Sequence, residues 1–153
     1  MPELPKTVAE VMTRKLVTIS KDDTLGKLED GMIRFRFRHL PVVEDGKLIG
    51  VVSHRDLLHA SSSFLSNAAD KRDEVIHKQP ASAIMQREMI TIRPTETLVG
   101  AASLMWEAKL GCLPVTEEDG TLLGILTEAD FIRLFIRLAT GNSPPPPPSS
   151  RLR

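Results

Sequence analysis

Two short stretches of this 153-residue chain place a hydroxyl and an acid three residues apart: Ser53-His54-Arg55-Asp56 and Thr127-Glu128-Ala129-Asp130. Ser and Thr are favoured helix N-caps, and acids are favoured in the turn that follows. The same helix start leaves backbone N–H groups unpartnered at the positive end of the dipole, so it equally suits an anion such as a phosphate. The first stretch is basic, with His54 and Arg55 inside it and Arg38-His39 upstream, whereas the second carries Glu128 and Ala129. An arginine can hold two phosphate oxygens at once.

Other chemistry is poorly supplied. The chain has no P-loop, no Gly-rich dinucleotide fingerprint and no G-x-S-x-G, and its single cysteine, Cys112, has no identifiable base partner, so it reads as a non-enzyme. His54 and His59 are five apart rather than the four that stacks two imidazoles on one helical face, which argues against a metal site. Lys and Arg total 20 against 20 Asp and Glu, so there is no general attraction to nucleic acid or an anionic membrane. The run Arg34-Phe35-Arg36-Phe37-Arg38 suggests a nucleic-acid-binding regulator as an alternative. At the end of an amphipathic helix, however, the phenylalanines are expected to pack and the arginines to be solvated. One cysteine fits a reducing compartment. No apolar run approaches the roughly 20 residues of a membrane span, and the N-terminus has acids and two prolines where a signal peptide is apolar, so a cytoplasmic protein is expected.

The elements that must position these residues are written twice. VMTRKLVTISKDDTL from Val11 aligns with IMQREMITIRPTETL from Ile84, pairing Met12 with Met85 and Thr18 with Thr91 at an offset of 73 (85 − 12, 91 − 18). The register continues through Leu40-Pro41-Val42 and Leu113-Pro114-Val115. After a one-residue insertion near Glu117 the offset becomes 74, pairing Asp45-Gly46 with Asp119-Gly120, Gly50 with Gly124 and Asp56 with Asp130. Leu16–Ile19 and Ile90–Ile92 read as short strands. Leu25, Leu28, Met32, Ile33 and Phe35, matched by Leu98, Ala101, Ala102, Leu104 and Met105, recur at helical spacing. Each Asp-Gly is expected to supply the positive-φ residues of a β-hairpin, and the hydroxyl-acid stretches start final helices. The order per copy is β-α-β-β-α. Boundaries fall at 1–60 and 81–138, with a polar, partly helical connector over 61–80 and a mobile tail over 139–153 that contains the prolines 144–148.

The ordered set Val11-Met12, Val17-Thr18-Ile19, Arg38-His39-Leu40-Pro41-Val42 and Gly50-Val51-Val52-Ser53-His54-Arg55-Asp56, repeated to Gly124-Ile125-Leu126-Thr127-Glu128-Ala129-Asp130, resembles the CBS (cystathionine β-synthase) domain family over residues 7–137. The resemblance implies an α+β (mixed α/β) fold of two βαββα repeats packed by pseudo-twofold symmetry through their sheets. It also implies a regulatory module that binds AMP, ADP, ATP or a related adenosyl ligand in two inter-repeat clefts, and that pairs into a homodimer.

The family's motif implies that Asp56 and Asp130 accept the ribose hydroxyls. Ser53, His54, Arg55 and Thr127, with Arg38 and His39, are then expected to face phosphate. The resemblance further implies composite sites. Asp56 would take its base slot from Ile84, Met85, Leu110, Gly111 and Cys112. Asp130 would use Thr7, Val11, Met12 and Phe37 beside Arg38 and His39, and Val51 and Ile125 line the base pocket from the strands. Apolar faces such as Leu57-Leu58 and Phe131-Ile132-Leu134-Phe135 are expected to need cover, with the Phe131, Leu134 and Phe135 stripe as the dimer contact. The expected partners are an adenosine-containing small molecule, a second copy and an unidentified regulated protein, with no catalytic cofactor. A ligand-free interaction scaffold is the other alternative, since caps and ligand contacts call for the same residues.

Overall fold

A computed structural model describes residues 3–35, 37–62 and 74–144. The described residues divide into two compact units that cross the repeats: one takes 17–89, the other 3–16 together with 90–144. The first is called the Asp56 unit and the second the Asp130 unit.

In the Asp56 unit, helix α1 (Leu25–Phe35) leads to strands β1 (His39–Glu44) and β2 (Lys47–Ser53) and then helix α2 (His54–Ser62). Leu25, Leu28 and Met32 of α1 are buried at the i, i+3, i+7 spacing of one helical face. Ile33 and Phe35, expected on that stripe, are exposed: Ile33 falls outside its arc, and Phe35 is the last residue of the helix. The hairpin pairs Leu40 with Val52, Pro41 with Val51 and Val42 with Gly50. Asp45 and Gly46 both have positive φ, 52° and 77°, which is the backbone of a two-residue turn matched to strand twist.

The Asp130 unit repeats the plan with α3 (Leu98–Glu107), β3 (Cys112–Thr116), β4 (Leu122–Thr127) and α4 (Glu128–Thr140). Its hairpin differs. The inserted residue lengthens the connection, Gly120 N–H closes on Glu117 O at 3.1 Å, and of the expected Asp119-Gly120 pair only Gly120 has positive φ, 88°. Helix α4 ends on Gly141, whose φ of 75° lets its N–H reach Arg137 O at 2.8 Å.

The strands expected at Leu16–Ile19 and Ile90–Ile92 reduce to single bridges, Ile19 to Val42 and Ile92 to Val115, both parallel. The prolines explain where they attach. Pro41 and Pro114 have no N–H to give, but their carbonyls accept from Ile19 N–H and Ile92 N–H at 3.0 Å each. The opposite sheet edge is closed by an exchanged segment. Gln86 bridges Val51 in the Asp56 unit and Thr13 bridges Ile125 in the Asp130 unit, so each sheet borrows its edge from the other sequence repeat.

The cores follow the same exchange. Ala81 and Met85 join Leu28, Leu40 and Val52, while Val8 and Met12 join Leu113, Val115 and Leu126. Of the connector, residues 74–77 are helical; 63–73 and the prolines 145–148 lie outside the described residues, as does Arg36.

Candidate functional site

Each unit places its acid by a capping exchange. Ser53 N–H and O–H both donate to Asp56 Oδ2 at 2.7 Å, and Asp56 N–H donates back to Ser53 Oγ at 3.1 Å. Thr127 N–H and O–H reach Asp130 Oδ2 at 2.8 and 3.1 Å in the same reciprocal box. The hydroxyl and acid therefore lock each other at the helix start, and one oxygen of each carboxylate is committed to the cap.

The second oxygen meets the exchanged segment, and here the units part. Asp56 Oδ1 accepts from the Gln86 side-chain amide at 3.0 Å. Asp130 Oδ1 accepts from the Thr13 hydroxyl at 2.8 Å and from the Arg133 guanidinium, whose Nη2 also lies 3.4 Å from Thr13 Oγ1. Asp130 is 3% exposed, whereas Asp56 is only half-buried. A carboxylate offers about four acceptor positions, and four donors fill those of Asp130. Thr13, Gln86 and Arg133 escaped the sequence reading, although Thr13 and Gln86 occupy equivalent repeat positions beside Met12 and Met85. Arg133 lies one helical turn after Asp130, where the first repeat has His59.

The motif glycines are explained by the same segments. A Cβ on Gly50 would lie 2.7 Å from Met85 Sδ and 3.1 Å from Gln86 O; one on Gly124 would lie 2.9 Å from both Met12 Sδ and Thr13 O. Only a bare Cα lets the exchanged chain run this close. Met12 and Met85 are each 7% exposed and pack in the cores.

Among the expected base-slot residues, Ile84, Met85 and Val51 share the unit of Asp56. Thr7, Val11, Met12 and Ile125 share that of Asp130. Leu110, Gly111 and Cys112, assigned to Asp56, belong to the Asp130 unit, and Phe37, Arg38 and His39, assigned to Asp130, belong to the Asp56 unit. Within that unit His39 is the register partner of Ser53, and Arg38 O accepts from His54 N–H at 2.8 Å, so Arg38, His39, His54 and Arg55 surround one helix start. At the matching positions the Asp130 unit has Gly111, Cys112, Glu128 and Ala129; the cation paired with its acid is Arg133.

Thr7 is engaged locally. Its N–H and O–H donate to Glu10 at 2.7 and 2.9 Å, and with Lys6 N–H they hold the Glu10 carboxyl below the usual carboxylate range. Burial pushes the Cys112 thiol up from 9.0 to about 11, which keeps it protonated and inert. Among the described residues no group of three or more His, Cys, Asp or Glu could hold a metal ion, and no helix is long and apolar enough to cross a membrane.

Two hairpin-and-helix units with a doubled acid-capped helix start define a tandem-repeat α+β protein. The chain belongs to the CBS domain family, whose profile matches residues 8–63 and 81–137. It is 35% identical over 145 residues to a CBS domain-containing protein of Dictyostelium discoideum, covering 94% of this chain and 97% of that one. Among solved structures, a protein assigned to acetoin utilization in Vibrio cholerae superposes with a TM-score of 0.76 at 32% identity, covering 87% of this chain and 92% of that chain. CBSX2, solved in complex with AMP, gives 0.74 at 27% identity, covering 88% and 99%. Other curated relatives are larger: the chain spans 45% of an uncharacterized Methanocaldococcus jannaschii protein.

Proposed function

We propose that the chain is a non-catalytic regulatory module that binds an adenine nucleotide at each Ser/Thr-x-x-Asp helix start and reports occupancy to a partner protein. The observation that carries this reading is the doubled carboxylate geometry. In each unit Oδ2 is capped and Oδ1 is held by side-chain donors, the Gln86 amide at Asp56 and the Thr13 hydroxyl with the Arg133 guanidinium at Asp130, that a ligand can displace. Similarity to CBSX2, whose structure holds AMP, supports adenosine phosphates as the ligand class. Asp56 and Asp130 take the ribose. The helix N-termini at Ser53 and Thr127, with Arg38, His39, His54 and Arg55, supply donors for phosphate. Met85 with Ile84 and Val51, and Met12 with Val11, Thr7 and Ile125, supply apolar cover for a base, each set within the unit of its acid.

Signalling follows from the Asp56 contact. Gln86 is tied to Val51 by its backbone and to Asp56 by its side chain, so a ribose that takes Asp56 Oδ1 changes the hold on the segment closing the sheet edge. A ligand shifts such an equilibrium only by its differential affinity for the two states. A second copy is the assembly partner, covering Ile132 and Phe135 of α4, which are 61% and 72% exposed; Leu134, expected in that contact, is instead 8% exposed within its own core. Calorimetric titration of nucleotide-free protein with AMP, ADP and ATP tests the reading. Heat of binding for at least one is expected, and none for any of the three contradicts it.

A further inference from the structure

The two carboxylates share a cap and differ in what fills Oδ1, and the difference rests on one side chain. Arg133 sits half-exposed on the first turns of α4 and reaches back to Asp130 Oδ1 and Thr13 Oγ1, all three groups within the Asp130 unit. Asp130 is almost wholly buried, so its charge is balanced by this guanidinium and by the hydroxyl and amide donors around it. A diol arriving at Oδ1 must displace the guanidinium. Two neutral hydroxyls then replace a cation beside a buried anion, and that exchange is unfavourable by itself. A ligand carrying phosphate changes the balance, because the released guanidinium can take the phosphate oxygens at the same helix start, and a charge-assisted pair is exchanged for another.

We infer that Arg133 is the selectivity residue of the Asp130 site: it closes Asp130 Oδ1 to neutral nucleosides and opens for a nucleoside bearing an anionic phosphate. The inference rests on the nucleotide-binding reading above. At the Asp56 site Oδ1 accepts from the neutral amide of Gln86, and the position of Arg133 is taken by His59, so the guanidinium contact belongs to the Asp130 site.

The test uses the full chain carrying Asp56→Ala, which leaves the Asp130 site, and titrates AMP and adenosine into it with Arg133, Arg133→Lys or Arg133→Met. With Arg133, AMP is preferred over adenosine by about tenfold or more, the size of one charge-assisted contact. Arg133→Lys retains most of the preference. Arg133→Met strengthens adenosine, weakens AMP and brings the two within about threefold. Arg133→Gln, neutral but still a donor, repeats the measurement if Arg133→Met unfolds in a thermal melt. A preference unchanged on removing the guanidinium charge overturns the inference while leaving nucleotide binding intact. So does an Asp56→Ala chain that binds neither ligand although the unmutated protein binds AMP. An unmutated protein that binds no AMP, ADP or ATP overturns the functional reading and this inference together.

Discussion

The Asp56 and Asp130 units are built alike down to individual backbone hydrogen bonds, yet their carboxylates are held differently. Ile19 and Ile92, Pro41 and Pro114, Gly50 and Gly124, and Met85 and Met12 occupy matching places. What differs is the polar neighbour set: Gln86 with a basic cluster in one unit, Thr13 with Arg133 in the other. Packing is thus duplicated while the chemistry has diverged, because a core tolerates little change in volume whereas a solvent-edge hydrogen bond can be remade by several side chains.

The strongest way to break the structural half of this comparison is to cut matching core residues. Leu40 and Leu113 are both fully buried, and Leu40→Ala and Leu113→Ala are each expected to cost about 2–5 kcal/mol in urea unfolding. A large difference between them would mean the cores are not equivalent. Cys112 sharpens the contrast in reactivity. With its thiol raised from 9.0 to about 11, alkylation at pH 8 should run about 100-fold slower in the native protein than in the urea-unfolded chain. The first repeat has His39 at that position, so no other thiol confuses the readout.

Gly50→Ala and Gly124→Ala probe the exchanged segments and are each expected to destabilise by about 1–3 kcal/mol, with the new Cβ forced against a methionine sulfur and a backbone carbonyl. If either glycine tolerates alanine without loss, the close approach is not what requires it.

Most of this architecture was legible in advance. The doubled register located the hairpins, the helices and the capped acids, since turn chemistry and helical spacing are local. What the spacing alone did not carry was non-local. Nothing in it says that Thr13 and Gln86, at the start of one repeat, lie beside the acid of the other, a pairing that only the family resemblance implied through Met12 and Met85. Arg133, by contrast, is a local contact one turn after Asp130. The short first strands were over-read because β-branched runs such as Val17-Thr18-Ile19 carry strand propensity, while only one residue of each finds a partner. The α4 stripe erred for a related reason: helical spacing groups Leu134 with Phe135 but does not say that the core claims the first and leaves the second outside.

The smallest expected effect is in acid. Glu10, in the segment lent to the Asp130 unit, is held below its ordinary 4.5 chiefly by Thr7, and Asp23, in the Asp56 unit, is held below 3.8 chiefly by Lys27. A lowered folded-state pKa stabilises above the unfolded value and is lost as pH falls through the folded one. Stability should therefore decline gently below about pH 4.5, and Glu10→Gln and Asp23→Asn should each flatten a part of that slope. An unchanged acid profile in both variants would remove these contacts from the account.

The central claim is that one site design is present twice with unequal strength. Titrating AMP into Asp56→Ala and Asp130→Ala separately tests it most directly. Each variant is expected to lose one binding event and keep the other, with the event retained in Asp130→Ala, at the half-buried Asp56 carboxylate beside its basic cluster, the tighter of the two. Loss of both events from either substitution, or two retained events of equal affinity, would contradict it.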